Sequence, residues 1–185
     1  MSSWKRYGRA KRHSLSSTQV DGGGEDQIGP AGVLPAEIWN PATGTWSAMA
    51  SMAEPRLYHS IALLLPDGRV LIGGGGRKPK ATDYADLEFF SPPYLFNGAR
   101  PTIGSAPARI SYGQTFVVGT PDAADIAKVN IVRLGALTHG VNTSQVFYPA
   151  AFSRGAGILN VTAPANGNYA PPGFYMMFIL NGLGV

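Results

Sequence analysis

A chain of 185 residues with 44% hydrophobic side chains has enough apolar material for one ordinary domain or two small ones, and its composition excludes intrinsic disorder. The formal net charge of +4 is concentrated at one end: Lys5, Arg6, Arg9, Lys11 and Arg12 precede the first acid, Asp21, and ten basic face eleven acidic residues thereafter, so the folded part is not a basic nucleic-acid surface. The absence of cysteine excludes disulfides, zinc-thiolate sites and thiol nucleophiles within the chain.

The 24 glycines and 15 prolines follow no collagen-like period, and they favour short strands joined by tight turns, an all-β fold, over a helical bundle. No apolar run approaches the length of a membrane span, and the first residues lack the apolar core of a secretory signal. Neither a membrane nor a nucleic acid is expected as a partner. Residues 1–20 read as a basic, disordered tail; a nucleic-acid arm is the rival there, and its affinity would fall steeply with salt.

The first strand signal is "AEIWNP", Ala36 to Pro41, followed by the turn "NPATG" and by Trp46, which opens the next strand. After "PRLYHS" come two apolar runs, Ile61 to Leu65 and Arg69 to Ile72, joined by Pro66-Asp67-Gly68, which predicts a β-hairpin. Glycines follow at Gly73-Gly74-Gly75-Gly76, then "LEFFSP", Leu87 to Pro92. A phosphate-cradling loop at "GGGGRKPK" would need a helix directly after it, and Pro79 argues against one.

Two landmarks share one offset. The runs Gly22-Gly23-Gly24 and Gly73-Gly74-Gly75 lie 51 residues apart, and the same shift carries "AEIWNP" onto "LEFFSP", matching Glu37 with Glu88 and Trp39 with Phe90. A period near fifty with such glycines resembles the kelch repeat of β-propellers. The expectation is a partial kelch propeller over residues 21–98, its last blades only, with further blades missing from the chain.

From Arg100-Pro101 the pattern changes. "TFVVGT", "AKVNIVRLG", "ILNVTAP" and "GFYMMFILN" are four strand candidates at the spacing of a β-sandwich, so a second domain is placed at 101–185, lacking its last strand.

Outside the tail only two histidines remain, His59 in "RLYHS" and His139 in "LTHGVNTSQ". Taken singly, each reads first as a hydrogen-bonded structural histidine. Taken in order with "LPDGRVLIGGGG" and "SPPYLF", the two motifs resemble the C-terminal part of the galactose oxidase and glyoxal oxidase family, copper-radical oxidases with a kelch propeller and a C-terminal immunoglobulin-like (early-set) domain. The resemblance covers roughly residues 22–185.

That resemblance implies that Tyr58 is the axial copper ligand and catalytic proton acceptor, and that His59 and His139 are equatorial copper ligands. It implies a parent protein, extracellular in this family, that oxidises a small alcohol, aldehyde or sugar with O2 and releases H2O2. Imidazole nitrogens with phenolic oxygens suit Cu(II). Adjacent residues of a regular strand face opposite sides, so Tyr58 and His59 can share a metal only if the chain bends there, and Pro55, just upstream, is consistent with such a bend.

Two departures from the family pattern matter. Its radical cofactor joins a tyrosine to a cysteine, and this chain has no cysteine, so that cofactor cannot form here and the chain is expected to be inactive alone. After Gln145, where the family commonly carries a basic residue, stand Val146 and Phe147. The alternative function is a non-catalytic kelch and immunoglobulin-like module that binds carbohydrate or protein.

Overall fold

A computed structural model of the chain describes residues 34–40, 43–56, 59–75, 83–138 and 141–185. The basic tail and the first glycine landmark lie outside these residues. The fold is all-β, with thirteen strands and two short 3-10 turns among the described residues. It divides into two compact units, one comprising residues up to Pro93 together with Gly135–Ser144, the other Tyr94–Leu134 with Gln145–Val185.

In the first unit β1 (Pro35–Asn40) and β2 (Thr45–Ser51) form an antiparallel hairpin, in which Trp39 faces Trp46. Strands β3 (Ser60–Leu64), β4 (Val70–Gly74) and β5 (Leu87–Phe90) form an antiparallel meander. The predicted hairpin is present, with Leu64 opposite Val70. Its turn closes locally: the Gly68 amide donates to the Leu65 carbonyl at 2.9 Å, Gly68 takes φ +82°, and the Asp67 carboxylate accepts from the Arg69 amide at 3.0 Å. Val70, Ile72 and Phe90 form a small core against which Ala36, Met49, Met52 and Ala62 pack, which ties the hairpin to the meander. Both copies of the second landmark pair, "AEIWN" and "LEFF", are strands, β1 and β5.

The second unit is the early-set, immunoglobulin-like sandwich. Strands β6 (Thr115–Gly119), β11 (Phe152–Gly155) and β12 (Ile158–Thr162) make one three-stranded sheet in the order β11-β12-β6. The other sheet has β7 (Ile126–Arg133) between β10 (Phe147–Ala150) and β13 (Tyr175–Asn181). Period-two alternation aims Phe116 and Val118, Leu159 and Val161 inward, where they meet Ile126, Val129, Ile131 and Ile179 in one core. The four expected strands are all found; β10 and β11 are additional. Strands β8 (Leu137–Thr138) and β9 (Val141–Asn142) form a short hairpin that belongs to the first unit although the chain on either side of it belongs to the second.

Leu159 of β12 is fully buried, and Val117, on the neighbouring strand β6 and on the opposite face, is half exposed. Leu159→Ala is expected to cost about 2–5 kcal/mol through the cavity it leaves. Val117→Ala should cost under about 1 kcal/mol. Urea unfolding of the two variants measures both.

Candidate metal centre

The segment between Arg56 and Ser60 carries the candidate ligands, and its two ends are described. Arg56 is almost wholly buried, its side chain 1% exposed. Its Nη1 donates to the carbonyls of Gly74 (3.3 Å) and Asp86 (3.2 Å), and its Nη2 to the carboxylates of Asp86 (2.7 Å) and Glu88 (3.2 Å). The guanidinium also lies 5.6 Å from the ring centre of Tyr84. Glu88 in turn accepts from the amides of Ala53 (2.7 Å) and Glu54 (3.4 Å), so one carboxylate holds both the guanidinium and the backbone that leads to it. Among the described residues the Nε of Arg56 meets no acceptor.

At the other end Ser60 enters β3 opposite Gly74, and its Oγ donates to the Arg56 carbonyl at 3.4 Å. His59 is exposed and takes φ +64°, the one left-handed residue other than glycine among those described. The left-handed conformation breaks the regular alternation of extended backbone at His59, immediately ahead of β3.

Gly74 fits this turn closely. It has φ +73°, and a Cβ there would stand 2.9 Å from the His59 carbonyl oxygen. Only glycine permits both the backbone angle and the approach.

The third candidate, His139, stands between β8 and β9. The neck of that hairpin is closed by Asn142, whose Oδ1 accepts from the amides of Ala136 (3.1 Å) and Ser144 (3.0 Å), and by Thr143, whose amide and Oγ1 both donate to the Ala136 carbonyl. Gly135 packs against Leu63 of β3, where an added Cβ would come within 3.0 Å of its Cδ2. The hairpin thus rests on the strand that His59 leads into.

Of the three sequence-predicted ligands, His59 is described, while Tyr58 and His139 lie outside the described residues, and no cluster of three or more metal-ligating side chains is found among the described ones. What can be tested on the described residues is the scaffold. An exposed imidazole on a reversed turn, with the carrier of the second imidazole in the same unit, is compatible with a nitrogen and phenol donor set for copper. Sequence reading passed over Arg56, Asp86 and Glu88. The only signal was Glu88, a carboxylate in the otherwise apolar "LEFF", noted above as a repeat landmark.

Residues 100–185 match a family model described as "Galactose oxidase-like, Early set domain". A galactose oxidase of Gibberella zeae is 34% identical over 161 residues, which cover 83% of this chain and 23% of that protein. The aldehyde oxidase GLOX of Vitis pseudoreticulata is 36% identical over 149 residues, 71% of this chain and 28% of the relative. Among solved structures, a fungal alcohol oxidase of the AA5 family in complex with copper is 34% identical with a TM-score of 0.75, over 83% of this chain and 34% of that one. The chain therefore spans about a quarter of the length of the curated relatives it matches.

Gly44 also has a positive φ, +68°, but a Cβ added there would meet nothing within 4 Å. Gly44→Ala is expected to lose about 1–2 kcal/mol from the left-handed backbone alone. Gly74→Ala should lose clearly more, because the His59 carbonyl must also move. Thermal unfolding of the two variants side by side gives the comparison.

Proposed function

We propose, from the chain's membership of the galactose oxidase-like family through its early set domain, that it is part of a copper-radical oxidase and supplies three copper ligands, Tyr58, His59 and His139. The single observation that supports this most is the placement of Gly135–Ser144. The hairpin that carries His139 leaves the sandwich unit and packs on β3, the strand that begins at the His59 turn.

Bound copper would supply a one-electron redox centre and lower the pKa of a coordinated phenol. The residues of this chain would do the rest of the local work. His59 and His139 would each offer a neutral imidazole nitrogen. Tyr58, as phenolate, would accept the hydroxyl proton of a primary alcohol or hydrated aldehyde. The overall reaction proposed for the parent, alcohol and O2 to aldehyde and H2O2, moves two electrons. One copper accounts for one of them, and the cysteine of a tyrosine–cysteine radical cofactor is not encoded in this chain. Turnover by the chain alone is therefore not expected. Strands β1 to β5, with the 51-residue offset between β1 and β5, are read as parts of two kelch blades.

The test is a copper(II) titration of the unaltered chain against Tyr58→Phe, His59→Ala and His139→Ala. Each histidine variant is expected to bind copper at least tenfold more weakly, and a peroxidase-coupled assay with primary alcohols should register no peroxide from any of them. Equal copper uptake by all four chains would overturn the ligand assignment and favour a binding module.

A further inference from the structure

We infer that Arg56 is a positioning residue for the turn at His59, fixing the backbone from which His59 enters β3, given the copper site proposed above. Its hold on His59 runs through the backbone: the guanidinium donates to the Gly74 carbonyl, and Gly74 packs against the His59 carbonyl.

The stretch from Arg56 to Ser60 is five residues long, and both of its ends converge on Gly74. Arg56 donates to the Gly74 carbonyl, Ser60 stands opposite Gly74 in the ladder, and the Ser60 hydroxyl returns to the Arg56 carbonyl. A loop so short, held at both ends, leaves few backbone solutions, and the one adopted puts His59 at φ +64°. A left-handed conformation in a residue with a Cβ is strained and persists only where its surroundings over-determine it. Arg56 supplies that constraint.

Arginine is suited to this by geometry. Its planar fork reaches four acceptors at once, two carbonyls and two carboxylates, drawn from the end of β4 and the start of β5. A lysine would keep the charge and reach fewer of them. Partners beyond the ligands commonly set metal affinity through ligand orientation, by 10–100-fold.

The experiment uses the full 185-residue chain with copper(II) alone as probe. Arg56→Lys retains the charge and removes the fork; Glu88→Gln retains the volume and removes one carboxylate. Both are expected to weaken copper binding by about 10–100-fold, to alter the hyperfine pattern of the bound ion in electron paramagnetic resonance, and to speed amide exchange at His59, Ser60 and Gly74. Arg69→Lys, which changes an exposed pair with Asp67, should leave all three readouts alone. A folded Arg56→Lys chain with unchanged copper affinity and spectrum overturns the proposal, even if exchange is faster, because the role would then be stability only. Should Arg56→Lys fail to fold, the same result in Glu88→Gln overturns it. Amide exchange needs no copper. A chain whose copper uptake ignores His59→Ala and His139→Ala refutes the site, and unchanged exchange in Arg56→Lys separately refutes the hold on the turn.

Discussion

A guanidinium withdrawn from water is the constraint on which the first unit's organisation turns. Arg56 is buried to 1% exposure, and its two carboxylate partners are unequal: Asp86 is 53% exposed and Glu88 only 23%. Screening by solvent weakens the first pair more than the second. Glu88 is therefore the partner that offsets most of the desolvation of Arg56, and it has little freedom of its own because two backbone amides also hold it. A buried charge tolerates loss of its partner poorly, whereas a well-packed apolar replacement of the whole pair can be neutral. What this pair secures is thus better described as geometry than as stability: it determines where the chain must be when β3 begins.

That geometry goes with a break in regular strand backbone just ahead of β3. A regular strand would send two adjacent side chains to opposite faces. Left-handed backbone at His59 interrupts the strand one residue before Ser60, and Gly74 accommodates the carbonyl that the interruption pushes toward β4. The glycine run is accordingly part of the turn's construction as well as the end of a strand. Its role is steric and conformational, which is why no helix or phosphate is needed to account for it.

Legibility from sequence followed the range of the interactions. Pro66-Asp67-Gly68 announced its hairpin because every bond that closes the turn lies within five residues of Leu65. The sandwich strands β6, β7, β12 and β13 were readable because alternation and β-branched residues reflect burial directly. Strands β10 and β11 were not, since Pro149 interrupts the first and "FSRG" has no apolar period. Proline is tolerated there because β10 is an edge of its sheet. Arg56 was opaque for another reason. Its acceptors lie 18 to 32 residues on, and nothing beside it in "EPRLYHS" distinguishes a buried arginine from an exposed one. The candidate ligands came from a family resemblance between motifs; the residues that shape the turn needed coordinates.

The two carriers of the proposed ligands share a design that bears on how such a site could bind. Each is a short connection closed at its neck by side-chain to backbone hydrogen bonds: Arg56 and Ser60 around one, Asn142 and Thr143 around the other. Closing a neck before any ligand arrives lowers the loop-closure entropy that binding would otherwise have to supply. Cupric copper gains most from such an arrangement, because its preference for a tetragonal set of nitrogens and oxygens rewards donors already held in place. The pairing of an arginine-held turn with an asparagine-held hairpin brings two segments remote in sequence, the carriers of the proposed ligands, into one unit. Gly135 lies against Leu63, and a Cβ there would stand 3.0 Å from the Leu63 Cδ2, which would have to shift to admit it.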